Sequence, residues 1–163
     1  MSKRVVRSKW VGVFAAMFLV AGTSLAFAEE TRDTYKTQVE PICKRNAEAD
    51  SRILKGVKAN VKDEKLKLAA TQFAKAATAL KKALNQLQAV PKPPADTARL
   101  TKWLGYVKTE VELFEQVSKK LKAGQKSSAQ RLSIRLTSTV NRANNEVLAF
   151  EFKYCRVNPS QFT

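Results

Sequence analysis

Hydrophobic residues recur along this chain at intervals of three, four and seven, and no stretch alternates with a period of two. That periodicity predicts helices and no sheet. A first helix is expected from about Arg32 to Asn60, with Tyr35, Val39, Ile42, Ile53, Val57 and Val61 along its stripe. Pro41 falls inside this run, so it either kinks the helix or opens one after a separate short turn. A second helix is expected to start near Asp63 as N-cap, with Leu66, Phe73, Leu80 and Leu87 every seven residues and alanines between them. The segment PKPPAD, Pro91 to Asp96, is a stiff linker because prolines cannot continue a helix. A third helix carries Leu100, Leu104, Val107, Val111, Phe114, Val117 and Leu121 and should stop at Gly124, a suitable C′ residue. A fourth should open at Ser127-Ser128-Ala129-Gln130, a capping-box pattern, and continue its stripe through Leu132, Leu136, Val140, Ala143, Val147, Phe150 and Tyr154.

Four amphipathic helices joined by short loops cannot bury their stripes separately. The expected fold is therefore all-α, an antiparallel up-down-up-down four-helix bundle. In that arrangement the start of the first helix and the end of the fourth lie at one end. The two cysteines of the chain, Cys43 and Cys155, can then meet as a disulfide. Two free buried thiols and an intermolecular bridge are the alternatives. Closing so long a loop would stabilise the fold by about 4–5 kcal/mol on a chain-entropy argument. The lengths do not match, however. At a rise of about 1.5 Å per residue, Cys43 lies roughly 25 Å from its hairpin turn and Cys155 roughly 42 Å from its own. The hairpins must be staggered, or the helix ends irregular.

The N-terminus changes the picture of where this bundle works. Lys3, Arg4, Arg7 and Lys9 precede an apolar run from Val11 to about Leu25, which ends in Ala26-Phe27-Ala28. This is the pattern of a secretory signal peptide over residues 1–28, cleaved near Ala28. The apolar run is short for a membrane span, which is the alternative. Residues 29–163 would form one domain, exported and either secreted or associated with the cell envelope, a compartment that permits disulfides. All 14 acids and 26 of the 30 basic residues follow residue 28, leaving a net charge near +12. Such a charge favours an anionic envelope polymer or membrane surface as partner, or else serves only solubility. Nucleic acid is a further polyanion, but no motif supports it.

Candidate chemistry is sparse. The chain has no histidine, which removes histidine-based acid–base and nucleophilic catalysis and the Glu-x-x-His motifs of di-iron bundles. No glycine-rich phosphate loop is present; Gly124 to Lys126 joins two helices. No catalytic residue, cofactor or metal is expected, and an enzyme is not.

Two sets of residues remain. At 100° per residue, Asn46, Asp50, Glu110, Asn144 and Glu151 point towards apolar faces. They predict an interior polar cluster able to hold a small ligand or cation, with Asn46 and Asp50 near Glu151 and Glu110 facing the Asn141/Asn144 region. Wet bundle ends and register-fixing polar residues would produce the same pattern. Arg131, Arg135, Arg142 and Lys153 fall on one face of the fourth helix, and Lys75 and Lys82 on one face of the second. These basic stripes are candidates for tracking phosphates or headgroups, or are simply solvated. Helix three mixes Glu112 and Glu115 with Lys108 and Lys119 in i,i+4 pairs, so it is expected to face away from a polyanion.

The segment YKTQVEPICKRN adds a resemblance. Tyr35, Val39, Ile42, Cys43 and Asn46, with the late Cys155, resemble an apolar-x-x-Ile-Cys-x-x-Asn pattern of small exported helical proteins of high-GC Gram-positive bacteria. Many of those are lipid-anchored, and this chain lacks the anchor cysteine. The resemblance implies export and a disulfide but no activity. The function expected from the sequence is therefore an exported basic binding or structural protein of the envelope, attached electrostatically to anionic polymer or membrane. The alternative is a helical bundle that binds a small ligand or cation in its interior polar cluster.

Overall fold

The computed structural model describes residues 31–159; the expected signal peptide lies outside them. The described chain is helical, with no strand among the described residues. Its helices are α1 (Arg32–Ile53), α2 (Val57–Lys62), α3 (Leu66–Ala89), α4 (Thr97–Lys122) and α5 (Lys126–Glu146). Short 3-10 turns cover Pro94–Asp96 and Leu148–Phe150. Among the described residues no helix is long and apolar enough to cross a membrane.

The first expected helix is in fact two. Gly56 takes a left-handed φ of +75°, which ends α1 and lets α2 leave in a new direction. Gln72 of α3 stitches the break: its amide nitrogen donates to the carbonyls of Ile53 (2.8 Å) and Lys55 (2.9 Å), and its oxygen accepts from Asn60 (2.9 Å). Pro41 is accommodated within α1. The actual start of α1 is a reciprocal cap between Thr31 and Thr34. Neither of the other expected caps forms. Asp63 ends α2 rather than opening α3, and Ser127 lies inside α5, whose N-cap Gln125 makes no side-chain bond. Gly124 does close α4 as expected, at φ +72°. The Gln125 N–H reaches the Lys120 carbonyl (2.8 Å) and the Gly124 N–H that of Leu121 (3.0 Å), the bonding of a Schellman end.

Packing centres on α3 and α4, with α5 against α4 and α1 against α3. The predicted stripes form the core: Leu100, Phe114, Leu121, Leu136 and Val140 are fully buried, as is Trp103. Ser118 near the end of α4 donates to the Ala70 carbonyl near the start of α3 (2.7 Å). Arg32 at the start of α1 makes a two-pronged ion pair with Asp96, just before α4 (2.6 and 2.7 Å). This hydrogen-bonded pairing holds the Asp96 carboxyl below the usual carboxylate range. In contrast, α1 and α5 hardly touch.

The fourth helix is shorter than its stripe. It ends at Glu146, and the chain turns through Leu148–Phe150 and a left-handed Glu151 (φ +51°) into an irregular tail. Three devices hold that tail. Asn144 grips Val157 at both its N–H (3.0 Å) and its carbonyl (2.7 Å), and the Glu40 carboxylate accepts the backbone N–H groups of Lys153 and Tyr154. Phe150 and Phe152 turn inward and stack at 5.2 Å, Phe152 also lying 5.8 Å from Trp103. This early ending removes the length mismatch between the cysteines. Cys43 and Cys155 are joined in a disulfide with a Cα–Cα distance of 5.0 Å.

Candidate functional site

Because α1 and α5 stay apart over the α3–α4 pair, a seam remains between them. At its disulfide end lies a cavity of about 240 Å³, lined by residues of α1, α3, α4, α5 and the tail. Four of the five residues expected in an interior polar cluster border it: Asn46 and Asp50 from α1, Glu110 from α4, and Asn144 from α5. Glu151 does not. It is exposed on the turn after α5, because the helix on which it was placed has already ended.

Asp50 and Glu110 are 6% and 4% exposed, and these figures decide the chemistry. A carboxylate taken out of water needs a cation or several hydrogen bonds to stay charged. Asp50 has one such bond, from the Asn46 amide (2.9 Å), and its other oxygen has no partner among the described residues. The Asn46 carbonyl oxygen is likewise buried and unpartnered. Glu110 accepts no hydrogen bond from any described residue. Burial pushes Asp50 up to about 7, the Asn46 bond offsetting part of the rise. Burial, and secondarily the Asp50 charge, pushes Glu110 up to about 8. Glu110 therefore senses the Asp50 charge, and both residues border the cavity.

The remaining walls are apolar and aromatic. Trp103 is buried from α4, Tyr154 is half-buried from the tail, and the disulfide closes one end. Arg156, exposed on the tail, also borders the cavity. Asn144 is committed to Val157 and so shapes the mouth. Further along the seam a recess of about 460 Å³ lies between α2 and α5. Its walls include Val61, Phe73, Leu121 and Ile134, and Lys126 at its edge pairs with Glu64. It contains no buried ionisable side chain.

The expected basic face is divided. Arg131, Arg135 and Arg142 are exposed on α5, and Lys75 and Lys82 are exposed on α3. These helices make no substantial contact, so the two stripes do not join by helix packing. Lys153 belongs to the tail, not to the helix, and its ammonium lies over the Tyr154 ring at 5.2 Å. On α4, the Lys108–Glu112 and Glu115–Lys119 pairs do not form ion pairs; the described ones are Arg32–Asp96, Lys65–Asp63, Lys102–Glu146 and Lys126–Glu64.

Residues that sequence reasoning passed over are Glu40, Gln72, Trp103 and Arg156. Only Trp103 carried a usable signal, an aromatic one residue before Leu104 in the third stripe. No family model matches the chain, and no curated protein or solved structure matches it.

Proposed function

We propose that this chain is an exported helical binding protein of the cell envelope, and that its ligand is a small molecule held in the cavity beside the disulfide. One observation carries the reading. Two carboxyls, each more than nine-tenths buried and neither paired with a base among the described residues, border a single cavity. Burying unpaired acids costs stability and adds nothing to packing, which is the signature of a site rather than of a core. The reading includes four long helices alternating in direction, supported by the Ser118–Ala70 bond and by Arg32 and Asp96 lying together at helix starts. Export is supported by the Ala26-Phe27-Ala28 pattern and by the intrachain disulfide. The role is binding rather than turnover.

Native mass spectrometry of the mature protein from culture medium or envelope extract tests this. A bound small molecule should appear in the wild type and be lost in Asp50→Ala and Glu110→Ala. A wild-type protein with no adduct, and no thermal stabilisation by extracts of the host, would count against it.

A second reading is electrostatic attachment to anionic polymer or membrane. It is favoured by the exposed Arg135, Arg142, Lys75 and Lys82, none of which has an acidic partner among the described residues. If it is right, Arg131/Arg135/Arg142→Glu should abolish binding to anionic vesicles or wall polymer at near-physiological salt. The two readings are compatible, since the arginines and the cavity occupy different surfaces.

A further inference from the structure

We infer that the disulfide-end cavity selects a small organic cation, an ammonium group on a short apolar body, seated between the Asp50 and Glu110 carboxylates. This rests on reading the cavity as a ligand site and names what that site chooses.

In the cavity wall, the buried side-chain atoms without a hydrogen-bond partner are the Asn46 carbonyl oxygen and one Asp50 oxygen, both acceptors. Glu110, also buried, receives no bond from a described residue. A group that satisfies all three must bring donors, and an ammonium brings three. It also brings the charge that lets both acids ionise out of water. Trp103 lines the same space and suits a cation with an apolar body, while the Tyr154 ring beside it already carries the ammonium groups of Lys44 and Lys153.

Size and donor set narrow the class. A volume of about 240 Å³ falls below the roughly 300–1,000 Å³ typical of sites for drug-sized ligands. Among the described residues no three side chains of His, Cys, Asp or Glu type gather as a metal site would need. Calcium takes at least about six oxygens, so two acids suit an organic cation better.

Binding must then displace a proton. The groups that face the pair are few: α1 presents Asp50, α4 presents Glu110, and the tail presents Tyr154 and the exposed Arg156. The cavity faces of α3 and α5 carry no titratable side chain. Without ligand, burial and mutual repulsion keep a proton on the pair near neutrality. An ammonium takes that proton's place.

The test is isothermal titration of the mature, disulfide-bonded protein with benzylamine, benzyl alcohol and benzoate, each in buffers of different ionisation enthalpy. Benzylamine should bind with release of between one and two protons near pH 7, and its affinity should fall more than tenfold per pH unit on acidification. Asp50→Asn and Glu110→Gln, which keep shape, should each weaken benzylamine more than tenfold without weakening benzyl alcohol. Tighter binding of benzyl alcohol or benzoate than of the amine would overturn the inference while leaving a ligand cavity in place. Amine binding without proton release would also overturn it, and requires no variant. If none of the three binds at millimolar concentration, both the inference and the cavity reading fail.

Discussion

Glu110 shows how far one residue's behaviour can depart from its type. In the helical stripe it is an acid between Val107 and Phe114; in the fold it is almost fully buried beside a second acid. Its carboxyl and that of Asp50 are raised above their unfolded values, so the folded state holds protons that the unfolded state has lost. Their contribution to stability is then greatest below the unfolded carboxyl range. It declines as pH rises through the two folded values, about 7 and about 8. We expect the protein to melt several degrees lower at pH 8.5 than at pH 5. The difference should be on the order of a few kcal/mol, and Glu110→Gln should flatten most of it. Calorimetric melts across that range check the point, and a pH-independent wild type would refute it. Asp96 has the opposite sign: its pairing with Arg32 contributes above the unfolded carboxyl value and is lost as pH falls through the lowered folded one. That Asp50 and Glu110 would be buried was legible from helical phase. Their proximity to each other was not, because it depends on how α1 and α4 are placed.

The elements were legible wherever local chemistry decides them. Apolar spacing located α3, α4 and most of α5, and Gly124 marked its helix end through a positive φ. Two boundaries required distant partners. The break after Ile53 had a local cue in Gly56, but it is held by Gln72, a polar residue in an Ala-rich helix with nothing local to bond. Gln72→Ala removes the partner of the half-buried Ile53 carbonyl, the exposed Lys55 carbonyl and the Asn60 amide. It should destabilise the protein by about 1–3 kcal/mol and raise hydrogen exchange at the α1–α2 junction selectively. Exchange spread evenly over the molecule would show that Gln72 has no local role. The early end of α5 is the other case. Phe150 and Tyr154 continue a helical stripe, yet Phe150 and Phe152 bury in a turn that packs Phe150 against Tyr35, Phe152 against Trp103, and the two against each other.

For the whole molecule, the disulfide is the decisive constraint. It joins residues 112 apart and pins the tail over the cavity, with Glu40 and Asn144 assisting. Replacing both cysteines by serine should lower unfolding stability by about 4–5 kcal/mol on the loop-entropy estimate. Urea unfolding of the oxidised protein and the double variant measures this. If the proposed site holds benzylamine, the variant should also bind it more weakly, since the tail supplies Tyr154 and Arg156 to the cavity. Equal midpoints would show that the tail is held without the bridge.

Taken by itself, the order of residues determined that the chain is helical, that its stripes call for one core, and that it holds a single pair of cysteines. Each of these follows from short-range periodicity or from a count, and neither depends on distant atoms. Tertiary structure alone decided that α1 and α5 part over α3 and α4, that the last helix stops short, and that Asp50 and Glu110 share a cavity while Glu151 stays in solvent. The reason is physical. Desolvation and charge–charge interaction sum over neighbours brought in from the whole fold, so two acids become a site only when packing removes their water together.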